Sequence, residues 1–221
     1  MRGRGIALAQ LLLAGGILLL GIPATLNSFE GLHLERDLGS ALSADGLGAL
    51  GDEALGQIEN ATPSTTGAQA ALAYALLTLA GGPLRSESER RVLLDRSVSE
   101  FRGYVGRVPG DGGAWAGLTS AELARGDFKA AQVALKASIL ASPWSPSLVT
   151  WRCGLGIELF RQLDDEGREL MRGQLRLQAE RSIRVLVDIA LRRKSVLAAR
   201  ILLASSPDQL MAFETELARR R

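Results

Sequence analysis

One histidine, His33, and one cysteine, Cys153, are all that 221 residues contain of the two most versatile catalytic and metal-binding side chains. With His33 far from the later chain, no Ser-His-Asp relay, Cys-His pair or histidine-rich metal site can be assembled within residues 68–221. Cys153 has no partner for a disulfide, so packing alone must hold the core. Apart from Arg152 its neighbours are apolar, which marks an inert, structural thiol. Charge of one sign is also scarce: 26 Lys and Arg against 24 Asp and Glu leave +2, too little for the concentrated basic face of a nucleic-acid binder. No β-branched alternation of useful length occurs, so an all-α fold is expected. No cofactor, no metal and no catalytic residue is expected.

What is present begins with an apolar run. Ile6 to Ile22 carry no charge, and with Pro23 to Leu26 they reach roughly 25–30 Å as a helix, enough to cross a bilayer. Arg2 and Arg4 precede the run and the next basic residue is Arg36, so the amino terminus is expected inside and the remainder outside, periplasmic in a bacterium. A cleaved signal peptide is the alternative, with Ile22-Pro23-Ala24 as a poor cleavage site, but the run exceeds the usual 7–15 apolar residues of a signal. Gln10 reads as a polar residue near the inner interface, and the run holds no clean GxxxG for helix pairing.

Three segments follow from composition: an anchor over 1–26, a Gly/Ser/Asp/Asn-rich tether over 27–67, and a helical domain over 68–221. "GLGALG" in the tether has dinucleotide-loop spacing but neither the strand before it nor the crossover helix after it. In the domain, "AQAALAYALLTLA" reads as a helix ended by Gly81-Gly82-Pro83. Ser86 or Ser88 is expected to cap the next, with Val92, Leu93, Val98, Phe101 and Val105 on one face. A hairpin follows that turns at Gly126-Asp127. The helix from about Pro146 is apolar nearly all round and should lie between neighbours. A long helix through "DDEGRELMRGQLRLQAERSIRVLVDIALRRK" and two short ones close the chain.

The hairpin resembles a tetratricopeptide repeat over about 112–146: Trp115, Leu118, Gly126-Asp127-Phe128, Ala131, Leu135 and Pro143 fall at that family's spacing. Thr119, Glu122 and Ser138 depart from it, standing where a small residue, an aromatic and an alanine are usual. One period earlier, Pro109 and Phe101 match Pro143 and Leu135, while the following unit is more degenerate. The resemblance implies a short array that binds a protein partner in a groove lined from first helices, with Ala116, Ser120, Leu123 and Arg152 as candidates. Anchor, tether and degenerate repeats together also look like membrane-anchored accessory proteins of bacterial exopolysaccharide biosynthesis or export, a likeness of pattern and not of a chemical motif.

Two charged patterns remain. Asp164, Asp165 and Glu166 have the oxygens for a hard cation, but acidic residues at a helix start are explained by the helix dipole. Arg168, Arg172 and Arg176 recur every fourth residue, and Glu180, Arg184, Asp188 and Arg192 continue along the same general face, the pattern of an ion-paired solvated surface. The alternative is an anionic partner, an acidic glycan or lipid headgroups, met by the first three arginines. The competing class is such a glycan- or lipid-binding protein or a weak carboxylate-dependent enzyme of the cell envelope, for which no acidic pair can be singled out.

Overall fold

The computed structural model describes residues 62–63, 65–82 and 85–220; the expected anchor at 6–26, Gln10, His33, most of the tether and the Gly46–Gly51 motif lie outside them. Among the described residues there are eight helices and no strand, and no helix is long and apolar enough to cross a membrane. The chain divides into two units between Arg107 and Val108, each taken by itself below.

The first unit pairs α1 (Thr66–Ala80) with α2 (Glu87–Arg107). Thr65 caps α1 by accepting from the Ala68 amide, and α2 opens on a reciprocal box in which Ser86 Oγ accepts from the Glu89 amide while Glu89 accepts from the Ser86 amide. Leu72, Leu76 and Leu79 of α1 pack with Leu93 and Leu94 of α2. Tyr74 and Phe101 meet edge to face, ring centres 4.8 Å apart. Ser97, buried, donates to the Ala73 carbonyl at 2.8 Å, and Gln69 donates to Glu100 at 2.9 Å, so the helices run antiparallel. The expected inward face of α2 is displaced at one position. Val92 is 67% exposed and Leu94 is buried instead, because Val92 lies across the helix from Leu94, Phe101 and Val105, the side that is buried and meets α1.

The second unit holds α3 (Gly112–Arg125), α4 (Phe128–Ala141), α5 (Pro146–Glu158), α6 (Asp165–Arg192), α7 (Val196–Leu203) and α8 (Pro207–Ala218). Aspartates start three of them: Asp111, Asp127 and Asp164 accept from the amides of Ala114, Ala130 and Gly167. Gly126 ends α3 in the left-handed region at φ 82°, which a Cβ disfavours, and α4 begins two residues later. α3 pairs with α4, α5 with α6, and across the hairpins α3 touches α5 and α4 touches α6. First helices therefore lie on first helices and second on second. Ala116, Ala131, Leu135, Ile139, Cys153, Leu155, Met171, Leu175, Leu186 and Phe213 share one core. Trp115 stays outside it, only partly buried, with its indole N–H donated to the Pro109 carbonyl at 2.9 Å.

α5 is buried on nearly every side, as its composition requires. The long helix expected after it is broken: Ser182 is extended (φ −165°, ψ 99°) and its Oγ accepts from the Val185 amide, capping a fresh helical start. The part of α6 before Ser182 runs beside α5, with Thr150 donating to Gln178 at 2.7 Å. The part after it returns to the other end of α5, where Arg193 meets Glu158 at 2.7 Å, and packs with α8. Lys194 closes α6 at φ 52°, a conformation glycine adopts without cost. Lys194→Gly should therefore stabilise the chain by up to about 1 kcal/mol, seen as a higher urea midpoint.

Candidate functional site: a buried arginine and the turn it holds

α4 and α5 are joined by Ser142-Pro143-Trp144-Ser145, with Pro146 opening α5. Proline on both sides restricts the turn, and the last carbonyls of α4 have no helical donors of their own. Arg152, wholly buried, supplies donors. Its Nη2 donates to the Ser138 carbonyl at 2.5 Å, Nη1 to the Ser142 carbonyl at 2.8 Å, and Nε to Ser138 Oγ at 2.9 Å. Ser138 Oγ donates onward to the Gly112 carbonyl at 2.6 Å, and from α6 Gln174 Nε2 donates to the Pro143 carbonyl at 3.1 Å. A Cβ on Gly112 would lie 2.8 Å from Arg152 Nη2 and from Ser142 Oγ, so glycine is needed for this approach.

No carboxylate among the described residues accepts from Arg152. Its compensation comes from the carboxyl end of α4, where helix carbonyls concentrate partial negative charge. Burial lowers its pKa to about 10, still far above neutrality, so the guanidinium is a cation. Beside it, Cys153 Sγ donates to the Gln174 carbonyl at 3.5 Å, and burial raises the thiol's pKa, leaving it protonated and unreactive. All three guanidinium nitrogens donate to the chain itself. The arrangement fixes a turn, and what the turn presents is Trp144, 75% exposed.

The four groove candidates are placed accordingly. Ala116 and Arg152 have no exposed surface. Ser120 is half-buried, its hydroxyl donated to the Ala116 carbonyl, and Leu123 is half-buried against the core. Exposed apolar side chains sit elsewhere: Val133 and Leu140 on α4, Leu197 and Ile201 on α7, and Met211 on α8. Neither Trp144 nor Gly112, Ser142 and Gln174 were singled out by periodicity, and Ser138 only as a departure from the repeat, because residues that meet through backbone carbonyls leave no spacing signal.

The arginine row is also rearranged. Arg168 lies 3.6 Å from Asp165 and over the Phe160 ring, and Arg172 meets Glu169 at 2.6 Å, so these two are paired. Arg176 alone of the three is exposed with no ion pair among the described residues. Beyond Ser182 the expected i,i+4 ladder is replaced by pairs to α8 and the residues just after it: Arg184 lies 3.8 Å from Glu216 and Asp188 meets Arg220 at 2.9 Å, while Arg220 also holds Glu216 at 3.1 Å. The acidic run at the start of α6 is occupied in the same manner, Asp164 capping the helix and, with Glu166, receiving Lys136.

Glu216 reports on the α8 contact. Its hydrogen bond from Arg220, with the Arg184 and Arg219 charges adding to it, lowers its pKa below the ordinary carboxylate value. A depressed folded pKa makes the unfolded chain bind more protons, so this contribution is complete above about pH 4.5 and is lost as pH falls through the folded value. Urea midpoints at pH 7 and pH 3.5 should differ less in Glu216→Gln than in the parent chain.

Hairpins layered first on first and second on second make the second unit a helical-repeat-like stack. No protein-family model, curated protein or solved structure significantly matches the chain.

Proposed function

We propose that the chain is a membrane-anchored, periplasm-facing adaptor of the bacterial envelope, a tetratricopeptide-like array that docks a protein partner and performs no catalysis. An accessory place in exopolysaccharide biosynthesis or export suits that role. The observation that carries the reading is apolar surface on the last two described helices. A helix that faces water normally turns a polar side to it. Here α7 turns Leu197 and Ile201 outward, one turn apart, and α8 exposes Met211. The partner surface is accordingly assigned to this end, and not to the first-helix groove that the repeat resemblance implies.

A photo-crosslinking residue placed at Leu197 or Ile201 of the full chain in cells should give one discrete protein adduct, the same at both sites, and none at Arg176. Absence of any protein adduct from both sites ends the adaptor reading. The alternative, binding of an acidic glycan or lipid headgroups by Arg168, Arg172 and Arg176, keeps of those three only Arg176 free of a carboxylate partner among the described residues. Loss of acidic-polymer retention on Arg176→Gln would favour it.

A further inference from the structure

Between Asp188 and Asp208 the chain carries four cations, Arg192, Arg193, Lys194 and Arg200, and no acid. Any carboxylate that meets this stretch must come from elsewhere. Two of the four receive one within the fold: Arg193 meets Glu158 of α5 at 2.7 Å, and Arg200 donates two hydrogen bonds to Glu214 of α8, at 2.5 and 2.7 Å. Arg192 and Lys194 do not. Both are exposed with no ion pair among the described residues, and they stand at the entry to α7, whose Leu197 and Ile201 are 66% and 43% exposed one turn apart. Lys194 and Leu197 are three residues apart, a span of at most about 10 Å, so the uncompensated charge borders the apolar pair.

The backbone of Lys194 adds an independent sign. Its φ of 52° lies in the left-handed region that glycine adopts without cost, and its ammonium has no partner among the described residues. A lysine kept where glycine would be easier, with no contact inside the fold to reward it, marks a charge that serves something outside the fold. We propose that the partner docked at the α7–α8 end is an acidic amphipathic segment of a protein, its apolar side on Leu197 and Ile201 and its carboxylates on Arg192 and Lys194. This partner chemistry rests on the adaptor reading, since the α7–α8 end must dock a protein at all. Helix-borne carboxylates already play the same part for Arg193 and Arg200. A polyanion without apolar side chains would meet the two cations and leave Leu197 and Ile201 in water, whereas a segment carrying both kinds of side chain satisfies both.

The test places a photo-crosslinking residue at Ile201 of the full chain in cells and reads the linked partner peptide by mass spectrometry. That peptide should carry Asp or Glu within one helical turn of the linked residue. Arg192→Glu combined with Lys194→Glu should cut the adduct at least tenfold, with helical circular dichroism unchanged. Lys194→Gly separates docking from folding: the urea midpoint should rise while the adduct falls at least threefold. Full adduct in both variants, or a linked peptide with no carboxylate near the link, overturns the acidic partner and leaves the adaptor standing. A lipid adduct in place of a protein, or no adduct from the parent chain, overturns both.

Discussion

Arg152→Ala should destabilise the second unit by about 3–5 kcal/mol, the usual cost of breaking a buried charged network from one side. The loss has three sources that the structure separates. The Ser138 and Ser142 carbonyls lose their donors, the Ser138 hydroxyl loses the Nε contact, and the largest wholly buried side chain of the fold is replaced by a cavity. Arg152→Met restores much of the volume without the donors and should lose less than the alanine variant. The check is urea unfolding of both variants: a lower midpoint with unchanged slope is expected, ordered parent, Met, Ala. If Ala and Met fall together, the donors dominate. If both match the parent, the guanidinium does not hold the turn.

Gly156→Ala should also destabilise, by about 1–3 kcal/mol, although alanine is the better helix former by about 1 kcal/mol. A Cβ at this position would fall on Met171, 2.8 Å from its Cγ and closer still to its Sδ and Cε, so the wholly buried Met171 side chain must shift within the core to admit it. Overpacking therefore outweighs propensity. Gly173→Ala is the control. Nothing lies within 4 Å of a Cβ there, so propensity acts alone and that variant should gain about 0.5–1 kcal/mol. Shortening Met171 to alanine removes the clash, so the double variant should be more stable than the sum of its parts by about 1 kcal/mol or more. Additive effects would show that α5 and α6 are not in the close contact described.

Much of the helix grammar was legible before any coordinates. Thr65 apart, the starts at Ser86, Asp127 and Asp164 follow from a short polar side chain ahead of an apolar period, and the turn at Gly126 follows from the backbone that only glycine takes freely. The all-round apolar character of α5 foretold its burial. These signals are local, and each is complete within a few residues. The break at Ser182 was not legible. Its neighbours continue a helical period on both sides, and the acceptor that stops the helix is a single hydroxyl whose amide partner is Val185, not the glutamate of a capping box.

Charge placement shows the same division. A row of alternating charges reads as an intrahelical ladder when one straight helix is assumed, and the kink sends Arg184 and Asp188 to Glu216 and Arg220 instead. Arg152 reads as a surface residue because arginine is rarely buried, and only the carbonyls at the end of α4 make its burial tolerable. The composition and periodicity of this chain determined that it would form helices, where most of them begin and end, and which faces are apolar, since those follow from dihedral preference and side-chain spacing. Only the tertiary structure decided which glycine a neighbour presses on and where a cation is hidden, because those outcomes depend on groups more than 10 residues apart in the chain arriving in contact.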